Sequence, residues 1–316
     1  MDNGGMTTYD KVKDRPQAFL ALTSLTVKEF QHLLPAFIDE YAAAYPPTLR
    51  LDGRPRVRRA GGGRKARLAT MADKLLFVLT YHKTYPLQTV LGQCFGLSQS
   101  QANEWLQRLT PVLKRTLARL GYAPLRDPAA MHDYDPETEG VLLLLIDGTE
   151  RRRQRPKNPE KQRAHYSGKK KTHTDKNVLL ANERTGEVIY LSQTYAGKTH
   201  DKKAAVQEGI QYPDGAVLTK DTGFQGYNPV NVHSIQPKKT PKGGWLSHAE
   251  RLANRVIARA RIKVEHVLAG VKRCRSVKDV LRNTCANFSD WAMQIACALH
   301  NLRVNFRQLS LPIQST

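Results

Sequence analysis

Apolar positions follow two different rhythms along this chain. From Ser24 onward, Leu25, Phe30, Leu33, Leu34 and Phe37 mark one face of a helix. That helix stops at Tyr45-Pro46-Pro47, because a residue before proline is pushed out of the helical region. Helix resumes at about Leu68 and runs to Lys83. Leu87, Val90, Leu91 and Cys94 then fall at i, i+3, i+4 and i+7, and Phe95-Gly96-Leu97 makes a short turn. Ser98 with Gln101 is a capping box, in which each side chain satisfies a free backbone donor of the next helix. Ala102, Trp105, Leu106 and Leu109 repeat the stripe, and Thr110-Pro111 is expected to open a further helix ending at Gly121. Residues 1–23 show no such rhythm and are expected to form a flexible leader.

After a Pro- and Asp-rich linker, residues 122–139, the texture changes. Val141–Ile146 is a continuous aliphatic run, as in a strand buried on both faces. Strand-like runs recur at Asn177–Ala181, Val188–Ser192, Ala216–Thr219 and Val232–Gln236, with a short helix expected at Asp201–Gly209. Ser247 with Glu250 is a second capping box, opening a long helix to about Lys272. Phe288, Trp291, Ala292, Ile295, Ala296, Leu299 and Leu302 form a last amphipathic helix. The order predicts an α/β fold, a mixed sheet flanked by helices over residues 140–316, preceded by an all-α domain over 24–121.

Composition narrows the class. Forty per cent of residues are hydrophobic and 25% are charged, which is the balance of a folded globular chain rather than a disordered one. The longest aliphatic run is six residues, against the roughly 20 a membrane helix needs, and the start shows no basic-then-apolar signal segment. Membrane and secreted proteins are therefore not expected. Four cysteines without C-x-x-C pairing read as reduced thiols, with Cys94 and Cys297 on apolar helix faces.

Charge is the unusual feature. Lys and Arg number 50 against 28 Asp and Glu, a net +22. Residues 50–67 carry +7, residues 151–176 carry +9 and residues 251–275 carry +7, which leaves −1 for everything else. Three basic patches on a near-neutral body point to a long polyanion, most simply a nucleic acid. The first patch is a glycine-rich arm containing Arg56, Arg58 and Arg59. It precedes the paired helices of residues 87–109, whose polar face carries Gln99, Asn103, Gln107 and Arg108. Such side chains can reach base edges in a major groove, although a plain helical hairpin with a solvated face has the same spacing. The basic arm favours double-stranded DNA.

In so basic a chain the carboxylates are informative. Asp147 is expected to end the most buried strand and Asp221 a later one, while Glu265 is the single acid between Arg251 and Arg275. Helical geometry sets Glu265 on the edge of the stripe Ile257, Ala260, Val264, Leu268 and Val271, with Arg261 and Lys272 sharing its face. Three converging acids would repel one another unless a hard divalent cation neutralised them. Two such ions can activate a water or 3′-hydroxyl and stabilise the leaving oxygen of a phosphate in line. Each acid also has a plainer reading: Asp147 and Asp221 as turn-capping residues, Glu265 as an ion-pair partner of Arg261. Asp201 reads as a helix-capping acid, and His173, His200 and His266 as locally hydrogen-bonded.

At these residues the sequence resembles the DDE transposases of the insertion-sequence-five superfamily, bacterial relatives of the Harbinger-type transposases. The resemblance spans nearly the whole chain. Its most specific pieces are Ile146-Asp147-Gly148-Thr149-Glu150, Tyr166–Thr174, Thr199-His200-Asp201-Lys202-Lys203, Asp221 with Gln225-Gly226-Tyr227, and Arg261–His266. Arg261, Glu265 and Lys272 fit the family's R-x3-E-x6-K signature, although Ala258 stands where the family often has Tyr.

The resemblance implies an RNase H-like fold with Asp147, Asp221 and Glu265 as the catalytic and metal-binding triad. It also implies two Mg2+ ions, with Mn2+ as a substitute. The implied activity is cleavage and joining of DNA strands at transposon ends. Arg151, Arg152, Arg153, Lys169, Lys170, Lys171, Arg261 and Lys272 are then expected to contact DNA phosphates. The implied partners are terminal inverted repeats and target DNA, bound by a homodimer or larger assembly in the bacterial cytoplasm, on the nucleoid, with no membrane. Two other classes remain open at this point: a regulator that only binds DNA, and a nuclease that cuts without joining.

Overall fold

The computed structural model describes residues 6–50, 53–57, 66–134 and 140–309, in two compact units. The first comprises Met1–Ala123 with Arg273–Ser276, the second Pro124–Lys272 with Val277–Thr316.

The first unit is helical: α1 (Tyr9–Val12), α2 (Pro16–Thr23), α3 (Val27–Ala44), α4 (Met71–Thr84), α5 (Gln88–Phe95) and α6 (Gln99–Arg119). Helix α4 is its centre, with every residue from Asp73 to His82 buried. Capping boxes open three of these helices, at Thr26/Glu29, Thr70/Asp73 and Ser98/Gln101. Helices α5 and α6 are the expected helix-turn-helix.

Two expectations fail in this unit. Residues 9–23 are not a flexible leader, because Pro16 starts α2 and Phe19 is fully buried. Phe19 meets Phe30 edge-on at 5.3 Å, Tyr9 stacks on Phe30 at 4.9 Å, and the Tyr9 N–H donates to Asp73 at 2.8 Å. Segments this short show no periodicity, so only packing reveals them. Nor does Pro111 start a new helix, since α6 runs straight through it. Burial of Leu109, Thr110, Val112 and Leu113 outweighs the one backbone bond that proline forfeits. Cys94 is exposed in the last turn of α5, whereas Cys297 is buried as expected. Arg58 and Arg59 lie outside the described residues, as does most of the basic arm.

The second unit is built on β1 (Leu143–Arg152), followed by α7 (Pro159–His165), β2 (Tyr166–Ser167), β3 (Thr172–Asn182), β4 (Val188–Leu191) and β5 (Tyr195–Ala196). Then come α8 (Asp201–Glu208), β6 (Ala216–Thr219), β7 (Val232–Ile235), α9 (His248–Val271), the single turn α10 (Arg275–Lys278) and α11 (Phe288–Leu309). The sheet order is β2-β3-β1-β6-β7, with β4 and β5 also on β3. Strand β3 runs antiparallel to β1, β4 and β5, while β6 and β7 run parallel to β1. Antiparallel strands on one side of β1 and parallel strands on the other make the mixed sheet RNase H-like. The stretch expected as a linker is partly built into it: the Leu125 N–H donates to Ile189 and the Leu125 carbonyl accepts from Leu191.

Alternation along β1 sorts the two faces. Leu144 and Ile146 join Val178, Leu180, Tyr190 and Leu218 in a core closed by Ala204 and Ala205 of α8. Leu145, Asp147 and Arg151 point to the other face, where α9 crosses β1 and β6 and packs on α11. No helix among the described residues is long and apolar enough to cross a membrane.

Candidate active site

The site starts from a mismatch in strand length. Parallel pairing between β1 and β6 ends at Leu145 opposite Thr219, while β1 continues against β3 as far as Arg152 opposite Thr174. Asp147 therefore does not end its strand, as the sequence suggested; it ends the parallel ladder. Asp147 lies two residues beyond Leu145 and Asp221 two beyond Thr219, so both leave the same side of the sheet where β1 and β6 part.

The Asp221 carboxylate is close enough to disfavour charge on Asp147. Burial is the largest influence on Asp147 and pushes its pKa up to about 6; the Gly148 N–H and Arg261 oppose the rise, while Asp221 and Asp201 add to it. Among the described residues its one hydrogen bond comes from the Gly148 N–H at 2.7 Å. Asp221 is better supplied. Its Oδ1 accepts from the Thr222 N–H and hydroxyl, and its Oδ2 pairs with Arg261 at 3.2 Å.

Helix α9 brings the cations. Arg261 is one-fifth exposed and reaches Asp221. Lys272 is half-buried, and burial lowers its pKa; Asp147 counteracts that shift, and the charges of Lys170 and Arg151 reinforce it. Glu265 shares the helix face of Arg261 and Lys272, one turn from Arg261, but it is exposed and joins no cluster. Among the described residues no group of three or more His, Cys, Asp or Glu side chains stands close enough to hold an ion.

A third carboxylate, which the sequence reading left as a helix cap, reaches the opening instead. Asp201 begins α8, and its Oδ1 lies under Gly148, where an added Cβ would sit only 2.5 Å away. Its Oδ2 is 3.5 Å from the position of a Cβ on Gly223. Gly148, directly after Asp147, thus gives Asp201 room, whereas a side chain on Gly223 would make only an ordinary contact. Lys176, buried and paired with both Asp201 (3.0 Å) and Glu150 (3.4 Å), holds it there. The signal in the sequence was the glycine directly after Asp147, which reads equally well as turn chemistry.

The expected DNA contacts divide. Arg152, Lys169, Lys170 and Lys171 are exposed, the lysines on the turn between β2 and β3. Arg151 is a correction. It is 4% exposed and its guanidinium is spent on the Ser289 carbonyl and the Asn177 side chain, because its place on β1 turns it under α11. Arg153 is similarly committed, to Asp175 at 2.8 Å. In the helical unit, Gln99 and Gln107 are exposed, Asn103 accepts a bond from Gln107, and Arg108 lies over the Trp105 ring and pairs with Glu104. Arg56 is exposed and bonds the Leu49 carbonyl.

Residues 146–301 match the family model of the DDE superfamily endonuclease, and residues 66–119 match the helix-turn-helix of DDE superfamily endonuclease. The chain is 28% identical over 228 residues to a probable transposase for insertion sequence element IS702 of Microchaete diplosiphon, covering 72% of this chain and 78% of the relative. It is 24% identical over 210 residues to a putative transposase for insertion sequence element IS112 of Streptomyces albus G, covering 66% and 72%. Among solved structures, the piggyBac transposase synaptic complex with hairpin DNA aligns with a TM-score of 0.43 and 10% identity, over 96% of this chain and 78% of that one.

The sheet unit is a DDE superfamily endonuclease, preceded by the helix-turn-helix of the same superfamily. The chain belongs to the DDE transposases: it is an enzyme that binds and cleaves DNA.

Enzymes of this superfamily generally depend on a divalent metal. The residues present fit one. Magnesium keeps most of its water and is ordinarily held by only one or two carboxylates plus phosphate oxygens, which a pair of aspartates supplies. Burial makes charge on Asp147 costly, with neighbouring Asp221 and Asp201 adding to that cost, and Arg261 is committed to Asp221.

Proposed function

We propose that this transposase binds the terminal inverted repeats of a mobile element and catalyses both cleavage and transfer of DNA strands. Asp147 and Asp221 hold Mg2+, two ions with Mn2+ able to substitute, and Glu265 completes the set from α9 when DNA is bound. The metal, when bound, lowers the pKa of the attacking water or 3′-hydroxyl and neutralises charge on the reacting phosphate.

The chain's own groups do the rest. Arg261 holds the Asp221 carboxylate through its Oδ2. Lys272 and Lys170 set positive charge beside Asp147, where a DNA phosphate enters. Lys169, Lys171 and Arg152 extend that charge along the strand. The helix-turn-helix, through Gln99, Asn103, Gln107 and Arg108, reads the element end, and the arm with Arg56, Arg58 and Arg59 adds phosphate contacts. Joining requires two ends held together, so the working form on DNA is a dimer or larger, acting on target DNA at the bacterial nucleoid.

One observation supports this most: two aspartates leave the same face of the sheet at the end of its parallel ladder, under two cations of α9. The test is incubation of pure protein with a labelled element end, target DNA and Mg2+. Joined product is the expected outcome. Cleavage without joining would reduce the reading to a nuclease, and binding without cleavage would overturn it.

A further inference from the structure

Helix α9 is buried only at its C-terminal end. Its buried residues are Val264, Val267, Leu268 and Val271, and none of residues 248–263 is buried. This sixteen-residue stretch is at most half-buried, tied to the rest of the unit through Asn254, Arg261 and Lys263. Isolated helices of that length are marginal in water, so this one gains from whatever covers it. Its exposed surface is not an ordinary solvated face, because Leu252, Val256 and Ile262 are 45%, 66% and 47% exposed, and Trp245, just before the helix, is 93% exposed.

The same stretch is strongly basic. Arg251, Arg255 and Arg259 recur every four residues, so they climb one side of the helix. Among the described residues none of the three pairs with an acid. The one acid in the overhang, Glu250, is engaged by Lys238, and the Lys238 backbone is clamped to Asn254 by a reciprocal pair of hydrogen bonds at 2.9 Å. That clamp fixes the loop carrying Lys239 and Lys242 beside the first turns of α9. The ladder ends within one turn of Arg261, which touches Asp221 from a different side of the same helix.

We infer that the overhanging half of α9 is a second DNA-binding surface: a track on which Arg251, Arg255 and Arg259 neutralise the phosphates of the duplex flanking the cut. The inference rests on the DNA-cleaving reading of the opening beside Arg261. Charge selects the occupant, since an arginine ladder with no free acid complements a phosphate backbone and repels a second copy of itself. The register follows from the helix rise. Arg251 lies about 15 Å along the axis from Arg261, or roughly four to five base steps at 3.4 Å each. The apolar side chains between the arginines then lie against sugars.

The test is Arg251→Gln/Arg255→Gln/Arg259→Gln in the full chain, with binding to a 30-base-pair duplex measured by fluorescence anisotropy across a salt series. Losing three phosphate contacts should flatten the slope of log K against log salt by about 2.7. Affinity at physiological salt should fall more than about tenfold, equally for element-end and random duplexes. Ethylation interference should disappear at phosphates spread over about one to five steps from the cut and persist elsewhere. All three arginines are exposed, so an unchanged thermal melt confirms that the variant folds. An unchanged slope and affinity would overturn the track while leaving the catalytic opening intact. A variant that keeps its DNA affinity but sediments as a smaller species would also overturn it, by giving the face to a second copy. Failure of the unmodified protein to bind any duplex would bring down the DNA-cleaving reading together with the track.

Discussion

Two aspartates on neighbouring strands of one sheet face have opposite fates. Asp175 on β3 is 1% exposed, yet it is saturated with partners: Arg153 at 2.8 Å, His165 Nδ1 at 3.0 Å, the Ser289 hydroxyl at 2.5 Å and the charge of Arg151. Burial alone would raise its pKa, but those partners hold its carboxyl well below the usual carboxylate range. Asp147 on β1 receives one backbone N–H and shares its surroundings with two other acids, so burial wins and its pKa rises to about 6. An acid whose charge is matched by the fold is part of the framework. An acid left short of cations, at an opening, is where the fold leaves room for one from outside.

The difference can be broken at either end. Asp175→Asn has the largest expected effect, because it leaves Arg151 and Arg153 without their carboxylate beneath α11. Removing one member of a buried ion network costs about 3–5 kcal/mol, to be read from urea unfolding at pH 7.5.

Asp147→Asn should move the other way in metal-free protein. The folded-state pKa lies above the ordinary 3.8, so the wild type is penalised once Asp147 ionises above about pH 6. The variant should be more stable at pH 7.5 by on the order of 2 kcal/mol. Its advantage should fade as pH falls through 6 towards 3.8, where the wild type regains the protonated form. Equal stability of variant and wild type at both pH values would show Asp147 to be as well compensated as Asp175.

Arg261→Gln sharpens the contrast with a smaller change. It removes a cation that lowers the Asp147 pKa. The apparent pKa of that carboxyl, followed by NMR titration, should rise further by roughly half a unit to one unit. The titration of Asp175, on the next strand, should not move.

Much of this was legible before any coordinates. The helix-turn-helix spacing, the capping boxes at Ser98 and Ser247, and the buried part of the first strand, Leu144–Ile146, are local patterns, and local patterns survive folding, although Val141 lies outside β1 and is exposed. What sequence could not supply was register. Asp147 looked like a strand end because its aliphatic run stopped there, whereas its meaning comes from where β6 stops pairing. Arg151 looked like a phosphate ligand because it follows Asp147 in a basic run, but alternation along β1 turns it inwards to Ser289 and Asn177. Asp201 is distant in sequence from both aspartates and is given room by Gly148, whose role shows only when the neighbouring carboxylate is seen. Phe19 gave no helical signal because its helix is two turns long.

The central claim is most directly tested by DNA cleavage in Mg2+ with Asp147→Asn and Asp221→Asn compared with the wild type, each first shown to bind the same labelled duplex. The wild type should cut with Mg2+ and stop on chelation. Both variants should retain DNA affinity within about twofold yet cut more than about a thousandfold more slowly, a loss of the several kcal/mol that a bound metal supplies. Cleavage by either variant at the wild-type rate would show that the pair of aspartates is not where this enzyme does its chemistry.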